Sequence, residues 1–371
     1  MNQADPRDLK IAIVDDYLRW GGAVQVVAAL HELFPQAPIY TIFSEVDKDP
    51  LLKAKFKNAK IIESWFARLP NPFKLLSPLR FLIPLIWACF DFRDYDLVIS
   101  SASWAVTKGF ADGKTKEICY CHTPPRYLYG YETSRNWQKH WYLRWYATIV
   151  NHFMRLYDFK RAQKVTVFVA NSREVQQRIK KFYRRESQVI PPPVEVAEIS
   201  AKPKVAKKEY FLTGGRLEAP KNFDLIVKAF NQLKFPLKIY GTGSQVEYLK
   251  SIAGPKIEFV GVVTNQERNR LMARAKAFVA AATDEDFGIT LVEAMAGGCP
   301  VLAYRGGGYL ETVVEGKTGE FFSPATPKAL EQKLKNFNPA RYSPQDCRRQ
   351  AQKFSQERFK KEILELVKNL R

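Results

Sequence analysis

One pattern occurs twice in this chain: a short apolar run, a pair of glycines and a stretch of helical composition. In the first half the apolar run is Ile11–Val14 and the glycines are Gly21-Gly22. In the second half the run is Tyr210–Thr213 and the glycines are Gly214-Gly215. A buried strand, a glycine turn and a helix open a doubly wound α/β domain. The repetition therefore predicts two Rossmann-like domains in series.

Chain length and one proline-rich segment support this division. At roughly 100–200 residues per domain, the 371 residues correspond to about two domains. Three consecutive prolines at 191–193 cannot enter a helix, and a polar, Lys-rich segment at 201–208 follows them. We predict a first domain over residues 1–195 and a second over 196–354. A C-terminal helix of about 355–371 is expected to pack back on the first domain.

Further strand candidates alternate with helical segments in both halves. They are residues 39–43, 95–100, 117–121 and 164–170 in the first half, and 237–240, 257–260, 277–282 and 301–304 in the second. In folds of this class, ligands bind beyond the carboxyl ends of the strands. Two such domains face to face would form a cleft lined by both sets of loops, which is where we expect a site.

The chain is strongly basic, with a formal net charge of +20. Residues 133–185 hold 13 Lys and Arg residues against two acids, Asp158 and Glu174. This composition fits either a set of solvated helix faces or a docking face for an acidic surface. Nucleic acid, anionic lipid and phosphorylated small molecules are all partners that such a charge would attract.

The most apolar segment, Phe81–Phe90, is interrupted by Pro84 and is shorter than the roughly 20 residues of a membrane-spanning helix. Aromatic residues between 65 and 90 are interspersed with Arg68, Lys74 and Arg80. Basic residues among aromatics suit a lipid interface. A buried helix pair in the first domain is the alternative interpretation, and the sequence favours neither.

Cysteine usage and the N-terminal residues indicate a cytosolic environment. Five cysteines occur without a metal-binding spacing, and Cys119 and Cys121 are predicted to be strand residues. Unpaired thiols are typical of reducing compartments. The first residues lack a basic segment followed by a long apolar one, so we expect no secretory signal.

Two cations follow the second glycine pair. Arg216 and Lys221 lie beside Gly214-Gly215 and the expected start of the next helix. Positive charges at a helix N-terminus oppose the helix dipole, so a purely structural design would avoid them. A bound diphosphate would reverse that cost, and fixed cations stabilise a departing phosphate. We therefore predict phosphate binding at this position.

Acidic residues crowd the end of the strand predicted at 277–282. Asp284, Glu285 and Asp286 are adjacent and would repel one another without hydroxyl-rich or cationic partners. Gly288 would allow the chain to turn so that the following amides point outward as an anion cradle. Glu293 is expected in the first turn of the next helix, where the dipole favours its charge.

The spacing of Glu285 and Glu293, followed by Glu-Ala-Met-Ala-x-Gly-x-Pro-Val, resembles the GT4 family of retaining glycosyltransferases with the GT-B fold. Gly21-Gly22, Arg216 with Lys221, and the glycine run 306–308 with residues 311–313 match other parts of its pattern. Residues 120–127 and 304–308 are most similar to bacterial mannosyltransferases that build surface polysaccharides from GDP-mannose. An apolar Val24 departs from the family, in which many members carry an acidic or small polar residue near this position.

The resemblance implies a role for each candidate residue. His122 would lie beside the transferred sugar, Glu285 would hold that sugar, and Arg216 and Lys221 would stabilise the leaving diphosphate. The donor would be bound by Gly21, Gly22, Gly215, Arg216, Lys221, Glu285, Phe287, Gly288, Ile289, Thr290, Leu291 and Glu293. Glu293 would hold the ribose. Family members need no metal ion or other cofactor.

The function expected from the resemblance is transfer of a hexose, α-mannose from GDP-mannose, with retention of configuration. The acceptor would be a glycan or a lipid-linked saccharide, such as one carried on a polyprenyl diphosphate, and the enzyme would work in the cytoplasm, peripherally on the inner face of the membrane. A UDP-sugar donor is the main alternative. A nucleotide-sugar epimerase is more remote, because it would need acid/base residues beyond Glu285 and His122 and the spacing of Glu285 and Glu293 argues against it. A nucleic-acid-binding protein is also remote, because no recognised nucleic-acid-binding motif occurs.

Overall fold

The computed structural model describes residues 9–19, 21–133, 141–196 and 209–370. The chain divides into two compact units. Unit 1 comprises Met1–Pro193 and Phe359–Arg371, and unit 2 comprises Val194–Arg358. The Lys-rich segment predicted at the boundary, 201–208, lies outside the described residues.

Unit 1 is built on a parallel sheet. Its strands in the described residues are β1 (Ile11–Asp15), β2 (Ile39–Thr41), β3 (Ile61–Glu63), β4 (Leu97–Ala102), β5 (Lys116–Cys121), β6 (Val167–Ala170) and β7 (Ser187–Val189). Their order is β3-β2-β1-β4-β5-β6-β7, with parallel pairing throughout. The chain changes direction across the sheet between β1 and β4, which is the switch point of a doubly wound fold.

The helices of unit 1 pack their apolar sides on this sheet. In the part described before the linker they are α1 (Gly22–Leu33), α2 (Pro50–Lys55), α3 (Pro72–Leu76), α4 (Ile83–Ala88), α5 (Trp141–Lys164) and α6 (Arg173–Tyr183). Val26, Val27 and Leu30 of α1 are fully buried in the same core as Ile13 of β1. Ser172 caps α6, because its hydroxyl accepts the Val175 N–H at 3.1 Å.

Unit 2 repeats the same plan. Its strands are β8 (Tyr210–Arg216), β9 (Leu237–Thr242), β10 (Ile257–Gly261), β11 (Ala275–Ala280), β12 (Val301–Tyr304) and β13 (Gly319–Phe322), in the order β10-β9-β8-β11-β12-β13. Its helices, over the same described stretch, are α7 (Phe223–Leu233), α8 (Val246–Ile252), α9 (Asn265–Arg274), α10 (Ile289–Ala296), α11 (Tyr309–Thr312), α12 (Pro327–Asn336) and α13 (Pro344–Gln352). The relative strand order matches that of unit 1, so the prediction of two doubly wound domains is confirmed.

The last helix, α14 (Gln356–Asn369), contributes to the core of unit 1. Phe359, Ile363 and Val367 are buried among side chains of β1, α1 and β5. The ring of Phe359 meets that of Tyr120 edge-on, with centroids 5.7 Å apart. Its apolar residues recur at helical spacing and so form one face of the helix, which is covered by the core of unit 1.

The predicted glycine turn at 214–215 is wrong, because both residues belong to strand β8. Gly214 pairs with Tyr240 and Gly215 with Gly241 in the parallel ladder. A Cβ atom on Gly214 would lie 2.4 Å from the Tyr240 ring, and one on Gly241 would lie 1.9 Å from the Gly215 carbonyl oxygen. The glycines here permit a close approach of two strands rather than a reversal of the chain.

The apolar segment 81–90 is partly buried and partly exposed, so it has features of both a buried helix and a lipid interface. Ile83, Ile86 and Trp87 are buried in a core of unit 1, as a buried helix requires. Phe81 and Leu85 are exposed, with 47% and 61% of their surface accessible. Among the residues that the structure describes, none of the helices combines the length and apolar character that a bilayer crossing requires.

Candidate functional site

The carboxyl ends of β8 and β11 meet at the switch point of unit 2, where the two strands are parallel neighbours. A Cβ atom built on Gly215 would lie 3.8 Å from the Cγ2 atom of Thr290. The start of α10 therefore lies against the end of β8. The first amides of a helix carry partial positive charge and favour an anion, so this position can hold a phosphate group.

Gly288 makes the sharp entry into α10 possible. It has a φ of +90°, and a side chain there would come within 2.8 Å of the Tyr309 ring. No side chain of the described residues caps the helix, so the amides of Ile289 and Thr290 stay available to a ligand. The Leu291 amide differs from the prediction. It donates to the Gly288 carbonyl oxygen at 3.0 Å within the first turn, and the Leu291 side chain is buried.

Lys221 and Glu285 form an ion pair beside this helix start. The Lys221 Nζ atom lies 2.5 Å from Glu285 Oε2, with 35% and 13% of the two side chains exposed. Asn222 fixes the turn that carries Lys221, because it adopts a left-handed φ of 53° and donates from Nδ2 to the Ala281 carbonyl oxygen at 3.0 Å. The pair neutralises both charges until a ligand that binds either group enters.

The glycine run 306–308 positions Glu285 through its backbone. The Gly308 N–H donates to the Glu285 carbonyl oxygen at 2.8 Å, and a Cβ atom on Gly307 would lie 2.4 Å from that same oxygen. The Tyr309 hydroxyl donates to Glu285 Oε2 at 3.3 Å. Burial, and then the negative charge of Glu285, raise the pKa of Tyr309 well above its ordinary value, so this hydroxyl stays a donor.

Arg216 ends β8 and is exposed. Its guanidinium makes no ion pair with any residue that the structure describes, whereas Lys221 is paired with Glu285. The uncapped start of α10 and these two cations form the positive part of the site, and Glu285 forms the negative part. A ligand that carries both phosphate and hydroxyl groups suits this arrangement.

Glu293 lies in the second turn of α10, not in the first as predicted, so the helix dipole does not explain its charge. Its Oε1 atom lies 3.0 Å from Arg268 Nη1 of α9. Burial raises the pKa of Glu293, Arg268 opposes this effect, and Glu195 adds to it. The buried Tyr240 hydroxyl, whose pKa is raised by burial and then by Glu293, has no hydrogen-bond partner among the described residues. An unsatisfied hydroxyl near a carboxylate is a position that a hydrogen-bonding group of a ligand would complete.

In unit 1, His122 follows strand β5 at the carboxyl edge of the sheet. Its Nε2 atom lies 2.9 Å from the Ser101 hydroxyl oxygen. The Asn171 side chain donates from Nδ2 to the His122 carbonyl oxygen at 2.9 Å. Burial lowers the pKa of His122 to about 4, against an opposing effect of Asp16. The imidazole is therefore neutral near pH 7 and can donate or accept a hydrogen bond, but does not act as a cation.

The lowered pKa of His122 predicts that unit 1 loses stability in acid. Between the ordinary pKa of 6.5 and the folded-state value of about 4, the unfolded chain binds a proton that the folded chain does not. Stability therefore falls as the pH decreases through this window. We expect the imidazole resonance that disappears in His122→Gln to titrate near pH 4 in NMR spectra. A titration midpoint above pH 6 would contradict the buried, neutral assignment.

Gly21 and Gly22 begin α1 at the carboxyl edge of unit 1. Gly21 is the N-cap residue, with an extended φ of 165°, and within the described part of the chain no side chain caps the helix. A Cβ atom on Gly21 would meet nothing among the described residues closer than the Arg19 carbonyl oxygen at 4.0 Å. Neither backbone strain nor packing in the described structure requires glycine at position 21. Close approach of a ligand to the backbone would explain the glycine.

Sequence analysis missed several residues that organise these sites. Asp16 accepts hydrogen bonds from the Ser103 hydroxyl at 2.6 Å, the Trp104 amide at 2.5 Å and the Thr107 hydroxyl, and so fixes the loop after β4. Arg268 and Tyr309 were also missed. Asp16 had a visible signal, an acid directly after a predicted strand, whereas the partners of Arg268 and Tyr309 are set only by the tertiary fold.

Two family models match the chain. "Glycosyltransferase Family 4" matches residues 20–198, and "Glycosyl transferases group 1" matches residues 196–354. The structure is similar to that of Anabaena HepE in complex with UDP and glucose, with a TM-score of 0.70 at 17% identity, covering 97% of this chain and 99% of that chain. This likeness supports the predicted GT-B fold class.

Similar curated proteins include an alpha-1,3/1,6-mannosyltransferase alg2 of Schizosaccharomyces pombe, 24% identical over 370 residues, 84% of this chain and 70% of that protein. The GtfA subunit of a UDP-N-acetylglucosamine–peptide N-acetylglucosaminyltransferase from Streptococcus gordonii is 28% identical over 161 residues, 40% of this chain. The match spans about a third (32%) of the GtfA subunit's length. Because the two family models together span residues 20–354, this chain belongs to the GT4 family of glycosyltransferase enzymes.

Proposed function

We propose that this enzyme transfers an α-mannosyl group from GDP-mannose, with retention of configuration, to a saccharide acceptor in surface polysaccharide synthesis. The observation that carries the proposal is the Lys221–Glu285 pair at the uncapped start of α10, next to Arg216. It combines groups that bind phosphate with a carboxylate that binds hydroxyls. The resemblance of residues 120–127 and 304–308 to bacterial mannosyltransferases, and the similarity to alg2, support mannose as the sugar.

In the proposed reaction, the donor diphosphate displaces Glu285 from Lys221. Lys221, Arg216 and the amides of Ile289 and Thr290 then stabilise the negative charge that develops as the bond between the sugar C1 atom and the phosphate oxygen breaks. Glu285, released from its ion pair, holds hydroxyl groups of the sugar. Its carboxylate also accommodates the positive charge that develops on the sugar ring. Glu293 and the Tyr240 hydroxyl hold the ribose.

Retention is proposed to arise from attack on the same face from which the phosphate leaves. The acceptor oxygen forms its bond to C1 as the phosphate departs, and the acceptor proton passes to the departing phosphate oxygen. Gly22 and His122 keep the donor-contacting roles that the resemblance implies. Because side-chain cations and helix amides supply the positive charge, we expect no requirement for a metal ion, and activity should survive EDTA.

A UDP-sugar donor is the second candidate. It is favoured by the similarity to a UDP-N-acetylglucosamine-dependent GtfA subunit and to a structure that contains UDP and glucose. The acceptor that we propose is a glycan carried on a polyprenyl diphosphate, reached from the cytoplasmic side of the membrane. Such an acceptor is consistent with the basic character of the chain, whose net charge is +20.

Isothermal titration calorimetry against GDP-mannose, UDP-glucose, UDP-N-acetylglucosamine and ADP-glucose tests the donor. We expect GDP-mannose to bind at least 10-fold more tightly than the others. Tighter binding of a UDP-sugar would overturn the assignment of GDP-mannose as the donor, but the assignment as a glycosyltransferase would stand. Isomerisation of the donor without an acceptor would indicate an epimerase, and tight binding of labelled DNA with no nucleotide-sugar binding would indicate a nucleic-acid-binding protein.

A further inference from the structure

The longest helix of unit 1, α5, exposes its large apolar side chains to solvent. Five of them have at least half of their surface accessible: Trp141 (67%), Trp145 (65%), Ile149 (54%), Phe153 (65%) and Leu156 (50%). Residues three or four apart lie on one face of a helix, so the five form a continuous stripe. From Trp141 to Leu156, at 1.5 Å per residue, this stripe is about 22 Å long. Soluble monomers rarely expose contiguous apolar surface of this kind.

The opposite face of α5 is fixed to unit 1 by polar contacts, so the stripe cannot turn inward. Asn151 Oδ1 accepts a hydrogen bond from Arg80 Nε at 2.8 Å. Asp158 forms a fully buried ion pair with Lys108. The Arg161 Nε–H donates to the Lys108 carbonyl oxygen at 3.0 Å. Burying the stripe instead would leave these charged groups without partners, which fixes the outward direction of the apolar face.

A second exposed apolar segment lies next to the N-terminal half of α5. Phe81 and Leu85 are exposed in the segment that follows Arg80, and Arg80 reaches Asn151 of α5. The Tyr146 hydroxyl donates to the Pro78 carbonyl oxygen, and the Arg80 guanidinium lies 4.9 Å from the centre of the Tyr146 ring. The aromatic segment of the sequence thus packs against α5. We call the five stripe residues the apolar face of unit 1.

The exposed charges of α5 itself have one sign. Arg144, Arg155, Lys160 and Lys164 of α5 are exposed, whereas Asp158, the acid of this helix, is buried against Lys108. A basic rim attracts an anionic surface. It also disfavours a second copy of this chain, because a two-fold contact would place two such rims together. Tryptophan at the edge of an apolar stripe suits the boundary between lipid headgroups and acyl chains.

We propose that the apolar face of unit 1 docks on an anionic lipid bilayer. Helix α5 lies parallel to the membrane surface, with Trp145, Ile149 and Phe153 inserted below the headgroups and Arg144 and Lys160 beside the lipid phosphates. Docking is inferred from the geometry of this face alone. Its role in the reaction rests on the proposed function, since a lipid-linked acceptor would lie in that bilayer. The electrostatic attraction to anionic lipid weakens as the salt concentration rises, whereas the contribution of the inserted apolar side chains does not.

Sedimentation with vesicles of phosphatidylcholine, with and without 30 mol% phosphatidylglycerol, tests this proposal. We expect the wild-type protein to bind the anionic vesicles at least 10-fold more tightly than the neutral ones at low ionic strength. Trp145→Ser with Phe153→Ser should lower this affinity by at least 10-fold, and Arg144→Gln with Lys160→Gln should remove most of the preference for anionic lipid. A matched variant, Tyr248→Ser with Val262→Ser, removes exposed apolar side chains of unit 2 and should bind like the wild type.

Two outcomes would overturn the proposal: no binding of the wild type to anionic vesicles at low salt, or unchanged binding of Trp145→Ser with Phe153→Ser. Sedimentation velocity tests a further outcome that would also overturn it. If the wild type is a dimer and this double variant is a monomer, the face binds a second copy of the chain. The circular dichroism melting curve and donor binding of the variants should match the wild type. Because donor binding is measured without vesicles, failure of the proposed function and failure of membrane docking are distinguished.

Discussion

Lys221→Ala is expected to lower kcat/KM for sugar transfer by about 10²–10³-fold while both units stay folded. A cation aimed at a leaving phosphate acts mainly in the transition state, and removal of one preorganised charge donor costs rates of this order. The fold should tolerate the change, because the Lys221 side chain is 35% exposed and Glu285 keeps its hydrogen bond from Tyr309. The measurement is a steady-state assay with radiolabelled donor, alongside thermal unfolding.

Glu285→Gln tests the other half of the pair. The amide keeps the size of the side chain but loses its charge, so hydroxyl binding is weakened and Lys221 loses its ion pair. We expect a loss of transfer of similar size, with donor binding reduced less than turnover because the phosphate contacts remain. Lys228→Ala is the matched control, since Lys228 also pairs with a carboxylate, Asp224 at 2.7 Å, in the same unit. Wild-type turnover in both site variants would refute the site.

Asp158→Ala is expected to destabilise unit 1 by about 3–5 kcal/mol, because it leaves the Lys108 ammonium buried without a counter-charge. The side chains of Lys108 and Asp158 are 1% and 0% exposed. Burial acts to lower the pKa of Lys108, but the effect of Asp158 opposes it and the pKa is raised. The Tyr129 hydroxyl, which donates to Asp158 Oδ2 at 2.7 Å, would also lose its partner. Denaturant unfolding followed by circular dichroism measures the loss.

A double variant separates the charge from the packing. Lys108→Met with Asp158→Leu removes both charges and keeps the volume, and such replacements are often neutral or better. We therefore expect it to recover most of the stability lost in Asp158→Ala. Lys180→Ala is the surface control, because Lys180 and Glu186 are 70% and 81% exposed and their pair should contribute below about 1 kcal/mol. If Asp158→Ala unfolds like this control, the buried pair does not hold α5 in place.

Local sequence signals sufficed for the architecture and for part of the site. Apolar runs alternating with helical segments predicted two doubly wound domains, because strand and helix periodicities are properties of neighbouring residues. Helix α10 (Ile289–Ala296) begins after Gly288, which was predicted as a turn, and ends before Gly297. Short elements escaped detection: β3 and β7 have three residues each, too few to show a period.

Pairings between distant residues were not predictable in this way. Lys221 and Glu285 were each suspected from their own surroundings, but their contact joins residues 64 positions apart and depends on the adjacency of β8 and β11. Glu293 was assigned to the helix dipole, whereas the fold places it one turn further along and against Arg268. Gly214 was expected in a turn, but it lies in β8, where the Tyr240 ring on the neighbouring strand leaves no space for a side chain.

The sequence by itself determined the two glycine-marked α/β domains and the charged residues that follow their strands, because these features are encoded in adjacent positions. Only the tertiary structure decided which charges meet and which surfaces stay open. Helix α5 is the clearest case. Its stripe from Trp141 to Leu156 has the spacing of a core-facing surface, yet it faces solvent, because Asn151 and Asp158 on the other side are held by Arg80 and Lys108. Periodicity identifies an apolar face, but the long-range contacts of the opposite face decide where it points.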